Sequence, residues 1–150
     1  MTSMGDFRTT GSLPPHVAAI VKDITKTSAV LSKILAPLGI GPWNITKFSP
    51  DEIVIGEPWT NSVALATLED YLGPVQIELI QQLEGKWLWN EFLEAHGQAW
   101  HHVSITVPNW DEVISQFTQY GGKVFFQIRA GAKRFAYVNI DGLNFEIAEP

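Results

Sequence analysis

HVAAIV at residues 16–21 and HVSITV at residues 102–107 are two copies of one pattern in a chain of 150 residues. Each copy begins with a histidine, continues as a strand-like run, and leads through a polar turn into a helix-like segment. VQIELI at 75–80 and LNFEIA at 143–148 form a second matched pair, and both carry a glutamate at the fourth position. Two matched pairs in the same order indicate a duplicated module.

Glycine, proline and capping residues divide each copy into a strand, a helix and three further strands. In the first copy, Asp23 is predicted to cap a helix that runs to about Pro37. The packing face of this helix is predicted to consist of Val30, Leu31, Ile34 and Leu35. In the second copy, Asp141–Gly142 predicts a two-residue hairpin turn.

The two copies differ in length. His16 and Glu78 are 62 residues apart, whereas His102 and Glu146 are 44 apart, so the first copy is longer by 18 residues. We assign this surplus to residues 41–66. The predicted organisation is a flexible tail over 1–14 and one domain over 15–150, with module 1 at about 15–83, a linker helix at about 86–97 and module 2 at about 100–150.

Charge and composition exclude several classes of function. The net charge is −6, which argues against a nucleic-acid partner. The chain has no cysteine, so disulfides, zinc–thiolate sites and a cysteine nucleophile are excluded. No apolar run approaches the ~20 residues that span a bilayer, and the first residues lack the apolar core of a signal peptide. We therefore predict a cytoplasmic protein without a membrane partner.

Strand alternation places His16, Glu78, His102 and Glu146 on faces with mostly small or polar neighbours, whereas the opposite faces are apolar and should pack beneath the helices. Burying two imidazoles and two carboxylates together is costly without a counter-charge. A divalent cation removes much of that cost. The sequence therefore predicts one metal site between the copies, and this ligand set suits Zn, Ni, Co, Mn or Fe.

The hairpin turn fixes which residues of the last two strands lie opposite each other. With a two-residue loop, Tyr137 pairs with Glu146 and Asn139 pairs with Asn144, and directly opposed residues share a face. Tyr137 and Asn139 should therefore face the same cavity as Glu146. Tyr137 is then a candidate hydrogen-bond donor to the Glu146 carboxylate.

The chain resembles the vicinal oxygen chelate superfamily, which includes lactoylglutathione lyase, methylmalonyl-CoA epimerase, extradiol dioxygenases and antibiotic-resistance proteins. The resemblance is carried by HVAAIVKDITKT, GPVQIELIQQLEG, FLEAHGQAWHHVSITVPNWDEV and KRFAYVNIDGLNFEIAEP, and it is strongest to the epimerase and lyase branch. It implies an α+β fold in which two βαβββ modules form a half-open, barrel-like cup around one divalent metal ion. It also implies a homodimer.

Carried over by position, the resemblance implies His16, Glu78, His102 and Glu146 as metal ligands, whereas His101 is predicted to lie on the opposite strand face. The implied activity is proton transfer next to a carbonyl, with Glu146 or Glu78 as the catalytic carboxylate. The implied substrate is a small molecule such as a CoA or glutathione thioester. Two alternatives stay open, a non-enzymatic small-molecule-binding or resistance protein and an extradiol-type dioxygenase.

Two further groups of residues are candidates for substrate contacts. The chain has six tryptophans, most of which we assign to packing. Trp43 and Trp59 fall in the surplus segment and are candidates for shaping a substrate pocket. Arg129, Lys133 and Arg134 cluster near the final hairpin. They are read as a solvated basic loop, with an anion clamp as the alternative.

Overall fold

The computed structural model describes residues 15–48, 50–56, 63–68, 75–84 and 87–150, so the predicted tail and Trp59 lie outside the described residues. Within these ranges the chain forms nine strands and three α-helices, in the order β1 (His16–Ile20), α1 (Ile24–Leu35), β2 (Trp43–Phe48), β3 (Glu52–Ile55), β4 (Val63–Leu68), β5 (Gln76–Gln82), α2 (Leu88–His96), β6 (Ala99–Thr106), α3 (Trp110–Gln119), β7 (Lys123–Ala130), β8 (Lys133–Ile140) and β9 (Leu143–Ala148).

The strands form one sheet in the order β2-β4-β5-β1-β6-β9-β8-β7-β3. Val63 of β4 and Ile128 of β7 belong to the same buried cluster although five strands lie between them in the sheet. The sheet therefore curls until its two halves face each other across a shared interior. The predicted α+β, half-barrel fold class is confirmed.

The pairing of β1 with β5 is repeated by β6 and β9. Both pairs are parallel, and the partner of Glu78 is Ala18 while the partner of Glu146 is Ser104. Ala18 and Ser104 each stand two residues after the histidine of their own copy. The two matched motifs therefore occupy equivalent places in the two halves, and antiparallel pairing of β1 with β6 joins the halves.

Strand β3 departs from a simple duplication, because it leaves the first half and pairs antiparallel with β7 at the far edge of the second. The Asp51 backbone N–H donates to the Arg129 carbonyl at 2.9 Å, and the Gly131 N–H donates to the Asp51 carboxylate at 2.6 Å. The first half thus has one strand more than βαβββ. The connection between β4 and β5 is also longer than the two-residue turn between β8 and β9.

Two local predictions are confirmed. Asp23 accepts a hydrogen bond from the Lys26 N–H at 2.9 Å and caps α1. Asp141 and Gly142 have φ values of 52° and 82°, the left-handed conformation that a two-residue hairpin turn requires. The register of β8 with β9 follows from this turn and is the predicted one.

The predicted packing face of α1 is wrong for Val30 and Ile34 and right for Leu31. Val30 and Ile34 are 51% and 60% exposed, whereas Ile24 and Ser28 are buried and Leu31 packs with them against the sheet. Residues three or four apart share a face of a helix, and the face toward the sheet begins at Ile24. No helix in the described part of the chain is both long and apolar enough to cross a membrane.

Helix α1 packs on β4 and β5 and helix α3 on β7 and β9, and between them part of the outer face of the sheet is uncovered. Leu79 packs beneath α1 and Ile147 beneath α3, as predicted. Val103, Ile105 and Leu143 are instead 43%, 36% and 61% exposed. The prediction that every apolar strand face packs under a helix is therefore wrong for β6 and for the start of β9.

Candidate metal centre

One histidine from each half meets the glutamate of β9 in the interior of the cup. His16 Nε2 lies 3.5 Å from Glu146 Oε1, and His102 Nε2 lies 3.8 Å from Glu146 Oε2. All three residues are buried, and one ligand atom from each lies within 4.8 Å of the others. Glu78 Oε1 is 3.7 Å from His16 Nε2, beside this three-residue group but not part of it.

These residues fit a divalent metal ion. The nitrogen–oxygen distances are longer than the roughly 2.7 to 3.2 Å of a hydrogen bond. Two atoms that each bind one ion at about 2.1 Å are separated by roughly 3.0 to 4.2 Å, depending on the angle at the ion. His102 Nε2 is buried and has no hydrogen-bond partner in the described part of the chain. Imidazole nitrogen and carboxylate oxygen are the ligands that Zn²⁺ and neighbouring transition metals accept.

The two glutamates differ because their partners on the neighbouring strands differ. Ser104 Oγ donates to Glu146 Oε1 at 2.8 Å, whereas Ala18, the residue opposite Glu78 on β1, has no side-chain donor. Burial raises the pKa of Glu78 to about 7, His16 opposes the rise, and the Glu146 charge adds to it. Burial also raises the pKa of Glu146, while His16 and the Ser104 bond oppose the rise. A pKa of about 7 is in the range that suits a general base, so Glu78 is a candidate for that role.

His101 faces the interior, which corrects the prediction that it lies on the opposite face. Ala18 pairs with His102 and Ala19 pairs with Trp100, so His101 is an extra residue in β6. Such a bulge breaks the alternation of side chains along a strand. His101 is 6% exposed, and its Nδ1 lies 2.8 Å from His102 Nδ1.

This contact suits His102 as a ligand. If His102 carries its proton on Nδ1 and donates it to His101 Nδ1, its Nε2 lone pair is directed toward the carboxylate of Glu146. Burial, with a smaller contribution from His96, lowers the pKa of His101 to about 4. Burial also lowers the pKa of His102, and His101 and His16 contribute to the shift. Both rings are thus neutral at pH 7, as metal coordination requires.

A cavity of about 160 Å³ adjoins the centre, and His16, Glu78, Glu146 and Tyr137 line it. Tyr137 lies directly opposite Glu146, as predicted. In the described part of the chain, however, the bond to Glu146 comes from Ser104 and not from Tyr137. The phenol lies next to Trp89, and burial raises its pKa well above the usual value, with the Glu146 and Glu78 charges as further causes.

The described residues correct two further predictions, and they place Arg129 in a partly exposed ion pair that agrees with the solvated-loop interpretation. Asn139 lines a separate groove outside the cavity and donates to Asn144 Oδ1 at 2.7 Å. Trp43 packs beneath α1 and does not line the cavity, whereas Trp89 does. Arg129 pairs with Glu52 at 3.4 Å.

Arg134 does not serve as an anion clamp. Its guanidinium bonds Asp111 at 2.8 Å and Glu149 at 2.6 Å and stacks 4.1 Å over the Trp110 ring. These two carboxylates compensate its charge and hold α3 against β8 and the residue that follows β9. For Arg134, the solvated-loop interpretation is therefore better than the anion clamp, although the side chain binds two carboxylates.

Ser104, His101 and Trp89 are the site residues that sequence reasoning missed. Ser104 carried a readable signal, because it shares the face of His102 and stands where the first copy has alanine. Trp89 lies on the linker helix and had no signal in either repeat. His101 had none, because a bulge depends on the pairing with β1 and not on the local pattern.

The sheet curls so that its two equivalent halves form a cup. Imidazoles and carboxylates meet where the halves join, and these two features together define a class of cup-shaped folds. The family model of the glyoxalase/bleomycin resistance protein/dioxygenase superfamily matches residues 15–138. The chain belongs to this superfamily. No curated protein sequence matches it.

Solved structures share the fold at low sequence identity. A hypothetical protein, BH1468, from Bacillus halodurans has a TM-score of 0.63 and 21% identity, over 92% of this chain and 94% of its own. Methylmalonyl-CoA epimerase from Mycobacterium tuberculosis has a TM-score of 0.64 and 17% identity, over 91% and 87%. A variant epimerase from Streptomyces coelicolor, in complex with 2-nitronate-propionyl-CoA, has a TM-score of 0.61 and 14% identity, over 91% and 92%.

Proposed function

We propose that this protein is a divalent-metal-dependent enzyme that transfers a proton next to a carbonyl group. The observation that supports this most is the buried group of His16, His102 and Glu146, with a second carboxylate, Glu78, beside it at the polar end of a mostly apolar cavity. A metal ion at the carbonyl oxygen and a base at the neighbouring carbon are the two components that such chemistry needs.

The four residues divide between two roles. We assign His16, His102 and Glu146 to metal binding. A bound divalent cation supplies Lewis-acid charge at the carbonyl oxygen of the substrate. Glu78 is assigned the proton transfer, because it lines the cavity and lies outside the three-residue group. Its carboxylate accepts the proton from the carbon next to the carbonyl and returns it, while the apolar walls exclude water.

The proposed substrate is the thioester of a small acyl group, such as an acyl-CoA. Support comes from the epimerases of similar fold, which are described in complex with CoA thioesters. A cavity of about 160 Å³ holds only the acyl end of such a molecule, so the carrier must remain outside it. The glutathione hemithioacetal of methylglyoxal is the alternative substrate of the same chemistry.

Solvent deuterium exchange tests the activity and the division of roles. Metal-loaded protein is incubated in D₂O with acyl-CoA thioesters, and deuterium at the α-carbon is measured by mass spectrometry. We expect Glu78→Gln to retain the metal and to lose about 10²- to 10⁴-fold in exchange rate, and Glu146→Gln to lose metal affinity. Exchange that survives in Glu78→Gln but disappears in a metal-bound Glu146→Gln would assign the shuttle to Glu146.

An extradiol-type dioxygenase is a second candidate, because two histidines and one carboxylate are the ligand set of non-haem Fe²⁺ oxygenases. Glu78 argues against it, since a carboxylate next to the open coordination positions competes with substrate and O₂. Aerobic assay of the Fe²⁺-loaded protein with catechols separates the two: ring cleavage without α-carbon exchange favours the oxygenase.

Binding without turnover is a third candidate, and the apolar wall of the cavity favours it. A resistance-type binding protein would retain small apolar ligands whether or not a metal is present. Metal analysis of protein purified without chelators distinguishes this candidate. A metal-free protein that binds ligands and exchanges no deuterium after metal loading would replace the proposed activity.

We propose a second copy of the chain as the protein partner. Trp100, Val103 and Leu143 line one groove on the uncovered outer face of the sheet and are 60%, 43% and 61% exposed. Contiguous apolar surface of this kind marks interaction sites on globular proteins. A twofold homodimer buries the same patch from both copies.

A further inference from the structure

The cavity beside the candidate metal centre is apolar away from its His16, Glu78 and Glu146 end. Its wall includes Val63, Leu65, Ile80, Phe126, Ile128 and Phe135. The cavity volume is about 160 Å³, and a cavity of about 150 Å³ lined by Leu, Ile and Phe is large enough to hold a benzene molecule. The space therefore matches an uncharged group of about phenyl size.

The described residues that line this cavity include no arginine and no lysine. Arg129 forms an ion pair with Glu52, and Arg134 forms ion pairs with Asp111 and Glu149. The polar end already holds two carboxylates, which repel a further anion. Tyr137 and Trp89 line the cavity and carry neutral donors, but a buried carboxylate without a counter-charge is still costly. A substrate whose buried end carries a free carboxylate is therefore disfavoured here.

We propose that the part of the substrate that enters this cavity is an uncharged apolar group, branched or aromatic and up to about phenyl size, carried by the carbon next to the carbonyl. The orientation, with the oxygens toward His16, His102 and Glu146, rests on the proposed function. The apolar character does not, because it follows from the wall alone. The substrate class is thus the thioester of a monocarboxylic acid and not the carboxylated thioester methylmalonyl-CoA, with which a structural neighbour is described.

Hydroxamates test the substrate class, because each presents the same pair of metal-binding oxygens and differs only in the attached group. Titration of Ni²⁺-loaded protein, followed by calorimetry, compares benzohydroxamate with acetohydroxamate and 4-methylpentanohydroxamate with the equally large succinohydroxamate. We expect the phenyl compound to bind at least about 30-fold more tightly than the methyl compound. We expect 4-methylpentanohydroxamate to bind more tightly than succinohydroxamate by a similar factor. Equal or reversed preferences in both pairs overturn the proposal.

A second measurement separates this proposal from the proposed function. Toluene, which cannot coordinate a metal, is titrated into metal-free protein and followed by ¹H NMR. Leu65→Phe reduces the cavity, and Leu38→Phe is the matched control, since Leu38 is 63% exposed and lies outside the cavity. We expect toluene to bind the control like wild type and to bind Leu65→Phe at least about 10-fold more weakly.

The outcomes of the two measurements are distinct. Toluene binding that Leu65→Phe weakens, together with hydroxamate affinities that do not depend on metal, would support the apolar pocket and overturn the metal-dependent activity. Toluene that does not bind, or that binds Leu65→Phe and wild type equally, overturns the proposed pocket. Tighter binding of succinohydroxamate that Lys86→Ala abolishes would also overturn it, by identifying a cation from outside the described residues.

Discussion

The hydroxyl of Ser104 donates to Glu146, whereas the equivalent position of the first half is Ala18. This bond orients the carboxylate that lies between the two histidines. We expect Ser104→Ala to weaken Co²⁺ or Zn²⁺ binding by about 10- to 100-fold, as loss of an outer-shell partner commonly does. Ser28→Ala removes a buried hydroxyl that bonds only within α1 and is the control. Equal metal affinity in both variants would show that the hydrogen bond from Ser104 to Glu146 does not contribute to metal binding.

His101 is expected to act on the metal through His102. His101→Asn retains an acceptor near the position of Nδ1, whereas His101→Phe fills the space without one. We expect His101→Phe to lose about 10- to 100-fold in metal affinity and His101→Asn to recover most of it. Thermal unfolding of the metal-free variants reports on packing alone. If both variants lose affinity equally, the ring serves packing rather than hydrogen bonding.

At the scale of residues, the positions of the two histidines and two glutamates were predictable. The repeat identifies the matched residues, and the alternation of side chains along a strand gives the face on which each one lies. The orientation of His101 was not predictable, since one extra residue in β6 relative to β1 breaks this alternation. The predicted roles of His16, Glu78, His102 and Glu146 stay predictions, although their side chains lie near one another.

Strand β3 is the element that the duplication does not explain. It extends the edge of the second half, and Ile53 packs against the interior cluster while Val54 is 46% exposed. We expect Ile53→Ala to lower the free energy of unfolding by about 1 to 2 kcal/mol, because truncating a partly buried isoleucine costs less than truncating one in the core. We expect Val54→Ala to lower it by less than about 0.5 kcal/mol. Urea denaturation measures both.

Hydrogen exchange gives the same element a second test. If β3 covers the edge of β7, the Ile53→Ala variant should exchange the backbone amides of residues 127–129 faster than Val54→Ala does. Unchanged protection in both variants would mean that the edge pairing does not depend on the Ile53 side chain. EIVIG was recognisable as a strand from its composition, but its partner was not, because strand pairing between distant segments has no local signal.

At the scale of the molecule, the matched motifs predicted two similar halves, and the resemblance to the superfamily implied the cup that they form. The sequence did not predict which outer surfaces stay exposed. Alternation identifies an apolar strand face, but the position of a helix over the sheet determines whether that face is covered. Helix α1 lies over β4 and β5 and helix α3 over β7 and β9, so the apolar side chains of β6 remain at the surface.

This exposed surface leads to the last prediction, which concerns self-association. We expect light scattering to give twice the mass of the chain, because a buried Trp100 and Leu143 from each copy would add apolar contact without opening the cup. Trp100→Glu should yield monomer, since it places a charge in the centre of the patch, and it should retain metal binding. Tyr120→Glu is the control, because Tyr120 is 73% exposed at the end of α3. A wild-type monomer at high concentration, or a dimer that Trp100→Glu leaves intact, would exclude this face as the interface.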